Sequence, residues 1–235
     1  MSGSCVRRII AGIAVLLLAA CGEGRLGGSA VRSPAGEPPS SRAPETPNRP
    51  AEAPAIVFLG TSLTAGLGLD PDSAFPALLQ RTLDSAGLEY FVVNAGQSGE
   101  SSAGAVRRID WILRQPPAVL VIETGANDGL RGQDPDSIRG NIQAIIERVR
   151  ARAPETRIVL AGMEALPNLG RDYVRRFRAI YPAVAQANDV TLIPFLLAGV
   201  AGVDSLNQQD GIHPNEMGER IVAENVWKVL GPMLR

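Results

Sequence analysis

The sequence predicts a three-layer α/β/α domain built on a central five-stranded parallel sheet. Three observations predict it. From residue 55 onward, short apolar runs alternate with longer segments of helical periodicity. The short runs are near-continuous in Val, Ile, Leu and Phe, as strands covered on both faces must be. The chemically unusual residues Ser62, Gly96, Asn127, Asp210 and His213 each follow one of these runs, on the edge where open α/β sheets bind ligands.

Taken in order, strands are expected at 55–59, 90–93, 119–122, 157–161 and 190–193. Between them the spacing predicts helices near 73–85, 102–114, 137–152 and 172–187, with a last one at 214–230. In the third helix Ile138, Ile142, Ile145, Ile146 and Val149 fall on one face, with Arg139, Glu147 and Arg148 elsewhere. Asp134 is placed to cap it, and Pro135 occupies a first position where a missing N–H costs nothing. In the last helix Val222, Val226, Val229 and Leu230 repeat the stripe, with Pro214 expected in the same opening position. These stripes are core.

The first 54 residues read differently. Arg7 and Arg8 precede an uncharged apolar run at 9–20, the layout of an export signal and too short to span a bilayer. The run ends in Leu18-Ala19-Ala20-Cys21, which resembles the bacterial lipobox. By that resemblance Cys21 becomes the lipidated first residue of an exported protein held on a bacterial membrane, facing the periplasm or the cell surface. Residues 22–54 are Gly, Ser, Ala and Pro with scattered charges, a composition that cannot build a core and is expected to act as a disordered tether. The expected organisation is therefore a signal at 1–20, a lipidated tether at 21–54 and one domain at 55–235.

Composition excludes several classes. Lys and Arg total 23 and Asp and Glu 24, so no net field draws the chain to nucleic acid, and aromatics at 4% offer few stacking platforms. Both cysteines, Cys5 and Cys21, precede the predicted domain, which retains a single histidine. A His/Cys metal site cannot be assembled from it, and no cofactor is called for.

The loop after the first strand reads Gly60-Thr61-Ser62-Leu63-Thr64-Ala65-Gly66. A serine on a tight strand-to-helix turn is exposed to substrate and can lend its own N–H to an oxyanion. Serine needs a base, and His213 is the one histidine in the chain. Asp210 precedes it by three residues in Asp210-Gly211-Ile212-His213-Pro214, close enough to hold Nδ1 and leave Nε2 free for the Ser62 proton. Gly96, in Asn94-Ala95-Gly96-Gln97-Ser98-Gly99, offers an unobstructed N–H, and Asn127, in Gly125-Ala126-Asn127-Asp128-Gly129, offers a neutral side-chain amide. Ser62, Gly96 and Asn127 are thus the expected oxyanion donors. Ser98 is a rival nucleophile, but its stretch falls one residue short of the G-x-S-x-G elbow. Asp128 is expected to brace its loop, and Thr124, Glu164 and Asn168 are candidates for the pocket wall.

Serine, glycine, asparagine and histidine in that order, each in a short motif, resemble the four blocks of the SGNH (GDSL-type) hydrolases across 56–230. The stretches 125–132 and 210–214 look like its thioesterase, lysophospholipase and arylesterase branch. The resemblance implies a flavodoxin-like sandwich, ester hydrolysis through an acyl group on Ser62, and small ester or lipid substrates. One position departs: the first block is usually Gly-Asp-Ser-Leu, and Thr61 stands where that aspartate would be. An inactive surface lipoprotein binding acylated or glycan ligands is the alternative this departure leaves open. A nucleotide-binding domain on the same fold is disfavoured, since 60–66 has no following lysine and Gly66-Leu67-Gly68 lacks the third glycine of a dinucleotide loop.

Overall fold

The computed structural model describes residues 53–235, so the expected signal, Cys21 and nearly all of the tether lie outside the described residues. Five strands, β1 (Ala55–Gly60), β2 (Phe91–Gly96), β3 (Val119–Ile122), β4 (Arg157–Ala161) and β5 (Thr191–Ile193), pair in parallel in the order β2-β1-β3-β4-β5. Seven helical segments connect or follow them: α1 (Ser62–Ala65), α2 (Phe75–Ser85), α3 (Ser102–Ile112), α4 (Ala126–Leu130), α5 (Pro135–Arg152), α6 (Arg171–Ala187) and α7 (Glu216–Met233).

Strand order dictates the layers. The chain steps one way from β1 to β2 and the other way from β2 onward, so right-handed crossovers put α2 on one face and α3, α5 and α6 on the other. Packing follows: α2 lies against α7, while α3 meets α5 and α5 meets α6. The central strands vanish into the core between them, with Ile56, Phe58, Leu59, Val119, Leu120 and Ile122 fully buried. Among the described residues no helix is long and apolar enough to cross a membrane.

The strands buried on both faces match the expected bounds, and β3 and β4 match to the residue. The β2 strand runs three residues further than its apolar run, because Asn94, Ala95 and Gly96 pair with Phe58, Leu59 and Gly60. Partner geometry overrides local propensity there. Two caps also differ from expectation. Asp134 makes no cap bond and instead reaches Arg176, although Pro135 does open α5. Pro214 lies outside α7 in a bridge to Asn207, and Asn215 caps the helix through the N–H groups of Met217 (3.0 Å) and Gly218 (3.1 Å).

At the open edge of the sheet, Gln80 of α2 takes the place of a neighbouring strand. Its Oε1 accepts the Val92 N–H at 2.6 Å, and its Nε2 donates to the Tyr90 carbonyl at 3.1 Å.

Candidate active site

The reversal of strand order at β1 opens a crevice beyond the carboxyl ends of β1 and β3, and four loops meet there. Ser62 is the first residue of α1, immediately past β1. Its N–H therefore has no intrahelical acceptor. His213 arrives from the loop before α7, and its Nε2 lies 2.8 Å from Ser62 Oγ. On the other side of the ring, Nδ1 lies 2.6 Å from Asp210 Oδ2.

The turn from Asp210 to His213 is self-assembled. Asp210 Oδ1 accepts the backbone N–H groups of Ile212 (2.9 Å) and His213 (3.0 Å), leaving Oδ2 for the ring. The His213 N–H and ring, followed by the Ile212 N–H, lower this carboxyl from 3.8 to about 2. An ionised Asp210 beside Nδ1 keeps the proton there, so Nε2 is the acceptor facing the Ser62 hydroxyl.

Gly96, expected as an oxyanion donor, does not serve as one. Its N–H donates to Asn94 Oδ1 at 2.9 Å, and it lies under α1, where a Cβ would sit 2.3 Å from the Ala65 nitrogen. The residue is glycine because α1 crosses it closely. Gly99, three positions on, lines the crevice with Ser62 and Asn127 instead, and its N–H meets no acceptor within the described residues. Its loop is held by Arg131, which donates to the Gly99 carbonyl at 3.0 Å, and by the Glu100–Arg108 ion pair at 2.7 Å. Asn127 sits in α4 with Nδ2 donating to the Glu100 carbonyl at 3.1 Å, which fixes the amide and leaves its second N–H available.

Asp128 braces the site as expected. It accepts the Ser102 N–H at 2.8 Å and the Ser102 hydroxyl at 2.6 Å, tying α4 to the start of α3. Ser98 is exposed and does not line the crevice, and the histidine is bonded to Ser62. Of the expected wall residues, Glu164 lines the crevice and pairs with Arg178, whereas Asn168 and the buried Thr124 do not line it.

One residue was not anticipated. Glu123, directly after β3 and 1% exposed, accepts the Thr61 N–H (2.7 Å), the Thr61 hydroxyl (2.9 Å) and the Thr64 hydroxyl (2.9 Å). Burial raises its carboxyl above the usual value despite these bonds. A signal was present in the sequence: an acid that directly continues the apolar run 119–122 is headed for a buried position.

The dyad stands at the foot of a cavity of about 580 Å³ whose wall includes Leu67, Leu130, Met163, Leu166, Phe195 and Ile212. A larger groove of about 1030 Å³ lies at the amino ends of the strands, around Phe91, Val93 and Trp111, but it has no histidine. Chemistry, not size, marks the site. Among the described residues there is no group of three or more His, Cys, Asp or Glu side chains able to hold a metal.

Comparison with known proteins gives a consistent result. The model of the GDSL-like lipase/acylhydrolase family matches residues 58–221. Esterase TesA of Pseudomonas aeruginosa is 41% identical over 185 residues, covering 78% of this chain and 91% of that protein. Thioesterase 1/protease 1/lysophospholipase L1 of Escherichia coli is 36% identical over 187 residues, covering 79% and 88%. The crystal structure of esterase EstA from a Pseudoalteromonas species, inhibited by monoethylphosphonate, superposes with a TM-score of 0.72 at 30% identity, over 77% of this chain and 98% of that one.

Proposed function

This chain belongs to the GDSL-like lipase/acylhydrolase family, and on that premise we infer that it is a carboxylic-ester hydrolase whose acyl-enzyme forms on Ser62. The observation that carries the reading is the unbroken chain from Ser62 Oγ to His213 Nε2 (2.8 Å) and from Nδ1 to Asp210 (2.6 Å).

In the first half, Ser62 Oγ attacks the ester carbonyl as His213 Nε2 takes its proton. Asp210 stabilises the imidazolium and keeps the ring oriented. The oxyanion is met by the Ser62 and Gly99 N–H groups and by Asn127 Nδ2, each worth about 2.7–4 kcal/mol. His213 then returns the proton to the leaving alcohol or thiol. In the second half it activates water, which releases the acid and restores Ser62.

The cavity argues for apolar acyl groups. Leu67, Leu130, Leu166 and Ile212 remain 38–45% exposed around the dyad, an unusual concentration for solvent-facing loops. Burying them against an acyl chain is favourable by roughly 25 cal/mol per Å². Esters, thioesters and lysophospholipids with such chains are the substrates we assign, in keeping with the names of the relatives.

We further propose that Cys21 carries the chain on a bacterial membrane, supported by the sequence Leu18-Ala19-Ala20-Cys21 behind its basic and apolar segments. Incorporation of a tagged fatty acid that disappears in Cys21→Ser tests this independently of activity.

The catalytic reading is tested on the full chain in detergent with a fluorophosphonate and p-nitrophenyl esters. Wild type is expected to be labelled once and to hydrolyse the ester. Ser62→Ala and His213→Ala should lose about 10⁶-fold in turnover. Near-wild-type rates in either variant would refute the assignment.

A further inference from the structure

The loop that presents Ser62 is a poor candidate for rigidity on its own. The α1 turn is only four residues long, and its N-cap, Thr61, makes no side-chain cap bond. A threonine in that position would ordinarily fold its hydroxyl back onto the helix. Here the hydroxyl donates to the Glu123 carboxylate instead.

That carboxylate collects donors from both sides of the nucleophile: Thr61, the residue before Ser62, through N–H and hydroxyl, and Thr64, two residues after it, through its hydroxyl. The packing around it leaves no slack. A Cβ at Gly60 would lie 1.9 Å from Thr64 Oγ1 and 2.9 Å from Glu123 Oε2, so only glycine lets β1 end against this cluster. From the far side, Asn94 Nδ2 donates to the Thr64 carbonyl at 2.8 Å.

Given the reading of Ser62 as nucleophile, we propose that Glu123 is its positioning residue, holding the Ser62 backbone in register with His213 and the oxyanion donors, and that Thr61 acts there as an obligatory hydroxyl donor. Thr61 is thereby accounted for. An acceptor surrounded by protein needs donors, and an ionised aspartate at 61 would bring a second acceptor to the same place. The departure from the Gly-Asp-Ser-Leu block exchanges a charge for a proton donor, while a carboxylate still anchors the loop from β3.

A positioning role makes a specific demand. Displacing Ser62 by a fraction of its distance to His213 should slow acylation without changing how the acyl chain sits in the cavity. The test compares Thr61→Val, Thr61→Ser and Glu123→Gln in the full chain, reading kcat and KM on a p-nitrophenyl ester, the rate of fluorophosphonate labelling and the thermal midpoint. Thr61→Val is expected to lower kcat and the labelling rate together by about 10- to 100-fold, with KM within about twofold of wild type. Thr61→Ser, which restores the hydroxyl, should recover to within about threefold. Glu123→Gln keeps the side-chain shape but turns a donor toward Thr61 or Thr64, and should resemble Thr61→Val.

The proposal is overturned if folded Thr61→Val turns over like wild type, or if Thr61→Ser is as slow as Thr61→Val. It is equally overturned if Thr61→Val and Glu123→Gln both lose the fold, which would make the contact a stability element. Ser62→Ala, run alongside, separates this from the catalytic reading. If it is dead while Thr61→Val is unaffected, only the positioning role fails; if it is active, the nucleophile itself is misassigned.

Discussion

Asp210 and Glu123 bring the same functional group to the two loops that meet at Ser62 and His213, from opposite environments. The Asp210 side chain is 45% exposed, and its partners lie within its own four-residue turn. Glu123 is 1% exposed, and its partners lie 59 to 62 residues away in sequence. Hydrogen bonds dominate at the first site and lower the carboxyl to about 2, whereas burial dominates at the second and raises it. The contrast separates two jobs. A group that must stabilise a transient imidazolium is kept ionised at the solvent edge, and a group that must hold backbone in place is enclosed with donors.

The largest effect that would sharpen this contrast is on Asp210. Asp210→Asn should cut kcat by about 10⁴-fold through loss of the correct ring tautomer, well beyond the loss expected from Glu123→Gln. Equal losses in the two variants would erase the distinction. Next comes the amide proposed for the oxyanion: Asn127→Ala should lower kcat by about 10²- to 10³-fold with little change in KM, read by steady-state kinetics.

Acid pH gives a further test. Because the folded value of Asp210 is lowered, its contribution is complete above 3.8 and is lost only as the pH falls through about 2. Stability lost between pH 5 and 4 should therefore be the same in Asp210→Asn as in wild type, measured as the pH dependence of the thermal midpoint. A third carboxylate bears on the comparison from the stability side. Glu219 of α7 is buried, accepts the Phe75 N–H at the start of α2 (2.7 Å), and is pushed up from 4.5 to about 8, chiefly by burial. A raised carboxyl means the folded state keeps a proton that the unfolded chain releases, so stability should fall as pH rises from about 4.5 to about 8. Glu219→Gln should flatten that slope in thermal melts; an unchanged slope would assign it elsewhere.

What could be read from the sequence divides along the same line. The gathering of Ser62, Asn127, Asp210 and His213 at one crevice was legible because each sits in a short motif. β3 and β4 were legible because strands buried on both faces are apolar throughout. Glu123 was not, since its partners are set by the β1–β3 pairing. Gly96 was misread for a related reason: two glycines three apart look alike until the path of α1 shows that one is packed beneath it and the other faces the crevice.

The side chain of Gln80 carries a consequence for how the molecule behaves in a crowd. Together with Asn94, which accepts the Gly96 N–H, it occupies outward-facing peptide groups that β2 would otherwise offer to a passing extended chain. At the opposite border β5 is only three residues long, too brief a template to recruit one. Removing a single amide, as in Gln80→Ala, should therefore leave catalysis intact while making concentrated solutions prone to strand-by-strand association, visible as rising light scatter and thioflavin fluorescence.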